Sequence, residues 1–455
     1  MSRQKTLILD GTRAEDGNLD SICNLLADFL LQDNGTKAER IKLKDIKINH
    51  CIGCFQCWTK TPGKCIYVDA GNDILEKFIN SDTVILITPV VFGGYSSELK
   101  KIVDRLLPVA LPFFKKTKHD ETHHPPRYLL RPRFVGIGIH PRPREEVRRC
   151  FKTLVGRNAI NADVDYTAEI VSESASPETL RARFRELLAR TDRLPWGNEL
   201  ALLLPPATVA KPETPPNTGR ALLIIGSPKR KDSCTSAVLG EHLLKRLVRH
   251  KWETESLCLT EDIQDSKGRS TLCAAVDQAD AIIISFPLYI DSLPFLMTKA
   301  IEIIASHRAR IKNDRKQKLY VLINNGFPES LQCAVALAIC HNFSTECGMT
   351  WSGAITLGAG EALVSGQPLA GFKGGALRPP LLYVIRALNI TADAIAMGCP
   401  IPEKAVRLIA KKPLPFISFD AWRWLFMQVS SKKWKKMAKQ HALAKQRLFD
   451  KPYTN

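Results

Sequence analysis

The amino-acid sequence predicts an α/β protein made of two doubly wound parallel-sheet domains in tandem, followed by a basic helical extension. Two observations carry this prediction. Short apolar runs alternate with amphipathic stretches in two similar copies, and a proline-rich segment separates the copies. Such alternation is typical of βαβ units around a parallel sheet. We place the domains at residues 1–203 and 220–410, the linker at 204–219 and the extension at 411–455.

The composition is that of a globular chain. Its 455 residues are 45% hydrophobic and 24% charged, and no long uncharged apolar stretch indicates a membrane span. No secretion signal precedes the first strand-like run, so the 13 cysteines are expected as reduced thiols or ligands in the cytoplasm. Much of the net charge of +19 lies near the C-terminus without a nucleic-acid-binding motif, so no nucleic-acid partner is expected.

The repeat is visible in two pairs of matching segments. KTLILDGTRAEDGN matches RALLIIGSPKRKDS, and each is a strand-like run that ends in a glycine-containing loop. TVILITPVVFGGYSSELKKIVDR matches DAIIISFPLYIDSLPFLMTKAIE, and each is a strand, a proline loop and an amphipathic helix. Gly11 to Pro89 spans 78 residues, whereas Gly226 to Pro287 spans 61. The difference predicts a cysteine-rich insertion after the second strand of the first domain.

The glycine loop of the second repeat has the features of a phosphate site. Gly226 allows a tight turn between strand and helix, and the hydroxyls of Ser227, Ser233 and Thr235 surround it. A helix N-terminus offers free backbone N–H groups and a positive dipole end, which favour a phosphate. Neither the nucleoside triphosphatase P-loop nor the G-x-G-x-x-G pattern is present, so a phosphate monoester fits better. The alternative, that Ser233 only caps a helix, stays open.

Two further loops belong to the same edge of the predicted sheet. FPLYIDSLP follows the third strand, where Pro287 gives stiffness and Tyr289 an aromatic face. LINNGFPES ends the next strand with Asn325 and Gly326. Ligands of open α/β sheets bind at the carboxyl ends of the strands. One loop for a phosphate and two for a flat polar ring predict a site for flavin mononucleotide (FMN).

The first repeat contains four cysteines within fifteen residues, in the segment CIGCFQCWTKTPGKC. They are Cys51, Cys54, Cys57 and Cys65. Four thiolates on one segment can hold a [4Fe–4S] cluster, and compact C-x2-C-x2-C runs suit it. Zinc is an alternative, although it usually takes two separated C-x2-C pairs. A redox-active dithiol and reduced structural cysteines around a tight turn also stay open.

These motifs together resemble a known family. GSPKRKDSCTS with FPLYIDSLP is similar to the flavodoxin-like NAD(P)H-dependent FMN reductases. The first repeat, with its cysteine run and TPVVFGGYSSELKKIVDR, resembles the iron–sulfur flavoprotein branch of that group. The resemblance covers both repeats and implies two flavodoxin-like domains that bind FMN and use NAD(P)H. In the second repeat it assigns flavin contacts to Ser227, Pro228, Ser233, Thr235, Pro287, Leu288, Tyr289, Asn325 and Gly326.

The first repeat departs from the family at its phosphate loop. DGTRAEDGN lacks the Ser-Pro pair, and its acids Glu15 and Asp16 would lie near the phosphate and oppose it. The residues that still match the family are Thr12, Asn18, Pro89, Phe92 and Gly93. The number of flavins per chain therefore stays open. Since such domains commonly pair, the duplication also predicts an intrachain pseudo-dimer or a homodimer.

The resemblance implies an FMN-dependent NAD(P)H oxidoreductase. It would pass electrons through the flavin, with or without a [4Fe–4S] centre, to a small-molecule or protein acceptor such as a quinone, a flavin or a protein. No single acid–base residue is demanded, because the flavin carries the chemistry. Two alternatives stay open: an electron carrier that a partner reduces, and a non-catalytic scaffold with degenerate flavin sites.

Two smaller groups of residues are assigned structural roles. HDETHHPPRY, which contains His119, His123, His124 and Arg127, is expected to be a solvated loop, with a nicotinamide phosphate contact as the alternative. The cysteines at 333, 340 and 347 recur every seven residues and are expected in the core.

The C-terminal extension combines the aromatic residues Trp422, Trp424, Phe426 and Trp434 with a run of lysines. We expect it to fold back on the second domain with its lysines in water. Peripheral contact with an anionic membrane surface is the alternative.

Overall fold

The computed structural model describes residues 5–32, 37–129, 132–206, 218–231, 234–263, 265–311, 315–364, 366–367, 369, 378–414 and 416–454. The chain divides into two compact units, the first made of residues 1–203 with 427–455 and the second of residues 204–426. Most of the predicted linker, 204–219, lies outside the described residues. Within the described ranges, no helix is both long and apolar enough to cross a lipid bilayer.

The first unit contains a five-stranded parallel sheet. The strands of the whole unit are β1 Lys5–Asp10, β2 Lys37–Lys42, β3 Thr83–Pro89, β4 Lys115–Lys116, β5 Thr122–His123, β6 Arg133–Ile139 and β7 Tyr166–Val171. Its helices are α1 Asp20–Gln32, α2 Gln56–Thr59, α3 Ala70–Ile79, α4 Ser97–Val103, α5 Glu145–Ala162, α6 Pro177–Ala189 and α7 Gly197–Ala201. The sheet order is β2-β1-β3-β6-β7, and β4 pairs with β5 as a separate antiparallel hairpin.

Both faces of this sheet are covered by helices. Every residue of the central strand β3 is buried, as expected inside a doubly wound parallel sheet. Ile85 and Val135 belong to one core cluster with apolar side chains of α1 and α6. Phe134 points to the opposite face, because side chains alternate along a strand. There its ring lies 5.5 Å from that of Phe78 in α3.

The second unit repeats this arrangement. Its strands are β8 Arg220–Ile225, β9 Glu253–Cys258, β10 Ala281–Pro287, β11 Lys318–Asn324 and β12 Thr350–Leu357. Its helices are α8 Thr235–Arg249, α9 Leu259–Asp262, α10 Ser266–Gln278, α11 Phe295–Arg308, α12 Ala334–Glu346, α13 Gly360–Leu363, α14 Arg378–Ala396 and α15 Glu403–Ile409, and α16 Phe419–Gln440 continues into the first unit. The sheet order, β12-β11-β10-β8-β9, equals that of the first unit read from the other edge. Both are the flavodoxin-like order, so the predicted fold class is confirmed.

The connection after the second strand differs between the units. Residues 43–69 join β2 to α3, whereas residues 259–265 join β9 to α10. The longer connection contains the four closely spaced cysteines. The extra residues of this connection are therefore added to an order of strands and helices that both units share.

The C-terminal extension divides between the two units. In the second unit, the rings of Trp422 and Phe426 lie 6.1 Å apart, and buried Arg423 pairs with Glu329 at 3.1 Å. Trp434 instead packs in the first unit, in a cluster with Cys57 and Trp58. The expectation that the whole extension folds onto the second domain is wrong, because the residues after α16 continue the core of the first.

The helix α4 carries an ion pair in the core of the first unit. Lys100 and Asp104, one turn apart, each expose only 1% of their side chains. Taking two charges out of water is costly, and it is tolerated here because each charge faces the other.

Replacing Lys100 by methionine should lower the free energy of unfolding by about 3–5 kcal/mol, because the Asp104 carboxylate then stays buried without this cation. The double replacement Lys100→Met with Asp104→Leu should cost far less, since neither charge remains. Urea unfolding followed by circular dichroism measures both. Equal losses in the single and double variants would show that packing, not charge, accounts for the effect.

Candidate functional site

The three predicted loops of the second unit meet at the carboxyl edge of its sheet. Because β10 pairs with both β8 and β11, the segments that follow these strands are neighbours. The Gly226 amide donates to the Ser285 carbonyl at 2.8 Å. The Leu288 amide donates to the Asn324 carbonyl, also at 2.8 Å. The phosphate loop, the proline loop and the loop after β11 therefore form one continuous edge.

The phosphate loop leaves a buried hydroxyl without a partner. Thr235, the first residue of α8, is 3% exposed, and its Oγ1 has no hydrogen-bond partner within the described residues. Ser227 is buried beside the loop, and its Oγ accepts from the Lys229 amide at 3.3 Å. An unsatisfied buried hydroxyl is costly, so this helix N-terminus is better suited to a bound anion than to an empty loop.

A cysteine caps the helix that follows this loop. The N-cap of α8 is Cys234, whose Sγ accepts from the Ala237 amide at 3.3 Å. Ser233, predicted as a phosphate contact or a cap, lies outside the described residues. Pro228 is buried within the loop. Gly226 is required for close packing, because an added Cβ would lie 2.5 Å from Met297 Cε.

The proline loop contains a two-residue turn in an unusual conformation. Ile290 and Asp291 both have positive φ, 46° and 58°, and the amides and carbonyls of Tyr289 and Ser292 bond to each other across the turn. A left-handed conformation costs a β-branched residue about 1–2 kcal/mol. The predicted contacts Pro287, Leu288 and Tyr289 are all half-buried, so part of each faces solvent. Strain of this kind is often found at ligand sites.

Asn325 acts within its own loop. Its Nδ2 donates to the Glu329 carbonyl at 3.0 Å, and its Oδ1 accepts from the Phe327 amide at 2.9 Å. The side chain thereby fixes the loop and leaves the neighbouring Gly326 exposed. Gly326 has open space around it, since an added Cβ would meet nothing within 4 Å. Asn325 was predicted as a flavin contact, which stays a prediction; in the structure its side chain positions the loop.

Sequence reasoning missed two polar residues that hold the edge together. Ser236 donates through its hydroxyl to Asn324 Oδ1 at 2.8 Å. The Ser285 hydroxyl donates to the Ser236 carbonyl, also at 2.8 Å. The signal for Ser285 was a polar residue near the end of a buried apolar strand, whereas Ser236, in the first turn of α8, gave none.

The phosphate loops of the two units have the same length but opposite charge. Each helix begins nine residues after the loop glycine, α1 at Asp20 after Gly11 and α8 at Thr235 after Gly226. Position by position, the basic run KRK at 229–231 therefore corresponds to AED at 14–16. Lys229 of the basic run pairs with Glu361 at 3.2 Å.

Carboxylates of the first loop take up its own donors. The buried Asp10 accepts the Thr12 amide at 2.9 Å, and Asp16 accepts the Arg13 amide at 2.8 Å. The Arg13 guanidinium also pairs with Asp16 at 2.8 Å. Arg40 of β2 donates to Asp10 at 2.9 Å. Asp16 was expected to repel a phosphate. The structure adds that Asp10 and Asp16 accept hydrogen bonds from amides of the loop.

The remaining first-unit predictions lie in buried surroundings. Thr12 is fully buried, and its hydroxyl has no partner within the described ranges. Pro89, Phe92 and Gly93 are buried, in contrast to the half-buried proline loop of the second unit. Phe92 and Gly93 form the matching left-handed turn, with φ of 54° and 91°. The side chain of Asn18 lies outside the described part of the chain.

The four cysteines of segment 51–65 are all free thiols. Cys57 is buried, and Cys51, Cys54 and Cys65 are half-buried. Burial raises the pKa of the Cys51 thiol to about 12. Burial also raises the pKa of Cys57, and the other three thiols add to that rise, which places all four within electrostatic range. Within the described residues, no three His, Cys, Asp or Glu side chains already converge as metal ligands.

The segment is anchored where it leads into α3. Asp69 caps α3 by accepting the Gly71 amide at 3.0 Å, and it pairs with Arg105 at 2.6 Å. Burial alone would raise the pKa of Asp69, but hydrogen bonds from Asn49 and Arg105 outweigh it and lower that pKa. Asn72 then accepts the Cys65 amide at 3.1 Å. These contacts fix the position of the last cysteine.

Aromatic rings line the other side of the segment. Phe55 and Trp58 stack with centroids 5.4 Å apart, and the Trp58 Nε1 donates to the Ala110 carbonyl at 3.0 Å. His124 lies 4.8 Å from the Trp58 ring, and burial lowers the pKa of this histidine to about 4. Of the four cysteines, Cys57 is buried in this aromatic cluster.

Comparison with known proteins bears on these features. Residues 4–120 match the family model of NADPH-dependent FMN reductase, and this stretch includes the first phosphate loop, the cysteines and the first proline loop. For these residues, the predicted family resemblance is confirmed. An iron–sulfur flavoprotein of Methanocaldococcus jannaschii is 34% identical over 114 residues, 25% of this chain and 58% of that protein. One of Archaeoglobus fulgidus is 33% identical over 78 residues, 17% of this chain and 34% of that protein.

The chain thus spans less than two thirds of the curated iron–sulfur flavoproteins it matches. Among solved structures, an NAD(P)H:quinone oxidoreductase from Methanothermobacter marburgensis shares 12% identity with a TM-score of 0.29, covering 39% of this chain and 96% of that one. An azoreductase from Bacillus anthracis shares 13% identity with a TM-score of 0.28, covering 40% and 99%.

The histidine-rich segment at 119–128 is buried or half-buried after its first two residues, so its interpretation as a solvated loop is wrong for most of its length. His123 and Arg127 are 1% and 2% exposed. Glu121 pairs with His123 at 3.0 Å and with Arg157 of α5 at 2.6 Å. Only the exposed His119, stacked on a tryptophan, fits the expectation among the four residues named for it.

The three cysteines in and at the two ends of α12 confirm their predicted core role. Cys333 and Cys340 are fully buried and Cys347 is 8% exposed. Cys333 also accepts from Asn325 Nδ2 at 3.2 Å, which links the helix to the loop after β11.

Replacing Ile290 by asparagine should raise the free energy of unfolding by about 1 kcal/mol, because asparagine tolerates the left-handed conformation that strains a β-branched residue. Ile290→Val keeps the branch and serves as the matched control, with no gain expected. Guanidinium unfolding of the flavin-free protein measures both. A loss of stability in Ile290→Asn would mean that isoleucine's packing outweighs its strain.

Proposed function

We propose that the chain is an FMN-dependent NAD(P)H oxidoreductase whose flavin binds at the carboxyl edge of the second sheet. The observation that carries this proposal is the buried Thr235 hydroxyl at the N-terminus of α8, which has no partner among the residues that the structure describes, in a loop that also contains three basic residues. A phosphate ester satisfies this hydroxyl, the free amides of the helix end and the local positive charge together.

Each part of the edge has a separate task in this proposal. Ser227 and Thr235 would bind the phosphate with the loop amides, and Lys229 would add charge from its position beside Glu361. The half-buried turn after Pro287 would orient the flavin ring, and Asn325 would hold the adjoining loop in place. When bound, FMN supplies hydride and electron transfer, chemistry that protein side chains lack.

We propose one flavin per chain. In the first unit, Asp10 and Asp16 accept amides that a phosphate would need. The corresponding proline loop is buried, which leaves less exposed surface for a flavin ring. A dianion there would face these carboxylates at short range, and like charges oppose one another. The Thr12 hydroxyl, for which the described part of the chain offers no partner, is a feature of that loop that favours a ligand.

The cysteine segment is proposed as a [4Fe–4S] site. Its donor set fits, because four free thiols lie on one segment and within electrostatic range of each other. The ligands would be Cys51, Cys54, Cys57 and Cys65, drawn together on assembly. Such a centre supplies one-electron transfer. The curated relatives are named iron–sulfur flavoproteins, which supports this assignment.

The electron acceptor is proposed to be a quinone, a flavin or a protein. An electron carrier reduced by a partner is the runner-up, since the same edge would serve it. Anaerobic addition of NADH or NADPH separates the two: bleaching of the flavin absorbance indicates a reductase, whereas unchanged flavin indicates a carrier. Purified protein that binds no FMN would point to a scaffold.

Replacing Thr235 by valine should weaken FMN binding about tenfold or more, because the isosteric side chain removes a hydrogen bond to the charged phosphate. Thr12→Val, at the buried hydroxyl of the other loop, is the matched control and should leave FMN affinity unchanged. Fluorescence titration of the apoprotein gives affinity and stoichiometry, with one FMN per chain expected. Two sites per chain, with one sensitive to Thr12→Val, would refute the assignment.

Anaerobically purified protein should contain about four irons matched by acid-labile sulfide. Cys54→Ser should lose the iron while retaining FMN, because one of four ligands is removed and the flavin edge is untouched. Cys399→Ser changes another half-buried free thiol and should keep the iron. Iron without sulfide, zinc, or no metal would each reject the cluster and leave the flavin proposal standing.

A further inference from the structure

The C-terminal residues of the chain lie over the cysteine segment of the first unit. Residues 441–454, which we call the C-terminal strap, follow α16 and belong to this unit. The end of α16 approaches through Trp434, whose ring lies 5.2 Å from that of Phe55 and 5.1 Å from that of Trp58. Cys57 is part of the same buried cluster. The helix α16 therefore approaches the cysteine segment at Cys57, and the strap continues from there.

A buried arginine holds the strap. Arg127 Nη1 donates to the Leu448 carbonyl at 2.9 Å and to the Asp450 carbonyl at 2.8 Å. Its Nε donates to the Pro108 carbonyl at 2.8 Å, which ties the strap to the body of the unit. Hydrogen bonds from a charged donor are stronger than neutral ones, and Arg127 is 2% exposed. This residue acts as a latch.

The strap packs against the turn between the third and fourth cysteines. Gly63, with φ of +83°, has no room for a side chain, because an added Cβ would lie 2.5 Å from Pro452 Cδ. The Gly63 amide donates to the Cys57 carbonyl at 3.0 Å. Lys64 Nζ lies 5.3 Å from the Tyr453 ring, and Asn80 donates to the Tyr453 carbonyl at 3.2 Å. The turn and the strap are thus complementary in shape.

Apolar contacts complete the attachment. Leu443 and Leu448 are buried with Ala438 in a small core cluster. The rings of Phe113 and Phe449 stack with centroids 5.4 Å apart. Because Phe449 remains 47% exposed, the strap lies at the surface, held by a few anchors, and such segments open locally at low cost.

We propose that the C-terminal strap is a cover for the cysteine segment, and that Arg127 is the positioning residue that keeps it closed. Cys57 is buried beside Trp434 of α16, the helix that leads into the strap, and Pro452 of the strap covers the turn that leads to Cys65. Opening the strap would admit solvent, oxidants and metal ions to these thiols. The inference depends on neither the flavin nor the identity of a bound metal.

The test compares Arg127→Gln with wild-type protein. Glutamine removes the charged donor, so the rate of maleimide labelling at Cys57 should rise about tenfold or more as local opening becomes easier. Cys399, half-buried in the second unit, is the internal reference and should label at an unchanged rate. Where iron is bound, the rate of its release to a ferrous chelator should rise in the same way.

Arg133→Gln is the matched control, because Arg133 also donates to carbonyls of another segment, with Nη1 at 2.7 Å from the Leu188 carbonyl. It should not change labelling at Cys57. Peptide mass mapping identifies the labelled residue in each variant. Equal rates at Cys57 in wild-type and Arg127→Gln protein would overturn the latch.

Labelling of the fully buried Cys150 would reveal whether Arg127→Gln unfolds. In that case, Gly63→Ala tests the strap instead. The added methyl group collides with Pro452 and should displace the strap while leaving Arg127 intact. A variant lacking residues 442–455 should expose Cys57 to at least the same extent. If neither variant accelerates labelling at Cys57 or iron release, the strap is not a cover.

Discussion

The parallel pairing of the central strands is the constraint on which both units depend. In the second unit, β10 pairs with β8 on one side and β11 on the other, so the chain segments that leave these strands must emerge at one edge. The hydrogen bonds of Gly226 and Leu288 across the strand ends keep those loops in contact. A ligand site is then a question of what the loops carry, since the sheet has already brought them together.

The loops of the two units carry different residues on the same order of strands and helices. Each phosphate loop runs nine residues from its glycine to its helix, so the lengths give no reason for a difference in function. Charge does. Where one loop has KRK, the other has AED, and Asp10 stands where the second unit has the apolar Ile225. Since a carboxylate accepts hydrogen bonds from the same kind of donor as a phosphate, Asp10 and Asp16 occupy loop amides that a phosphate in the first unit would need.

Much of this could be predicted from the sequence, because strand, loop and helix signals are local. The buried run before Pro287 and the glycine at 226 identify their elements without knowledge of the rest of the chain. The burial of His123 could not be predicted in this way, because its partner network depends on Arg157 in a helix more than thirty residues away. The packing of Trp434 on Trp58 is more distant still. Contacts of this kind leave no periodic signal in the sequence.

The same limit explains why residues 427–455 of the C-terminal extension were assigned to the wrong unit. Its aromatic residues indicate burial, but burial alone does not say which surface receives them. In the structure, the receiving surface is specified by Arg127, which donates to the Leu448 and Asp450 carbonyls of the extension, and by the missing side chain of Gly63. None of these features is an unusual residue in a recognisable pattern. A glycine that is needed for a turn and a glycine that is needed for a neighbour look alike in the sequence, and only the fold distinguishes them.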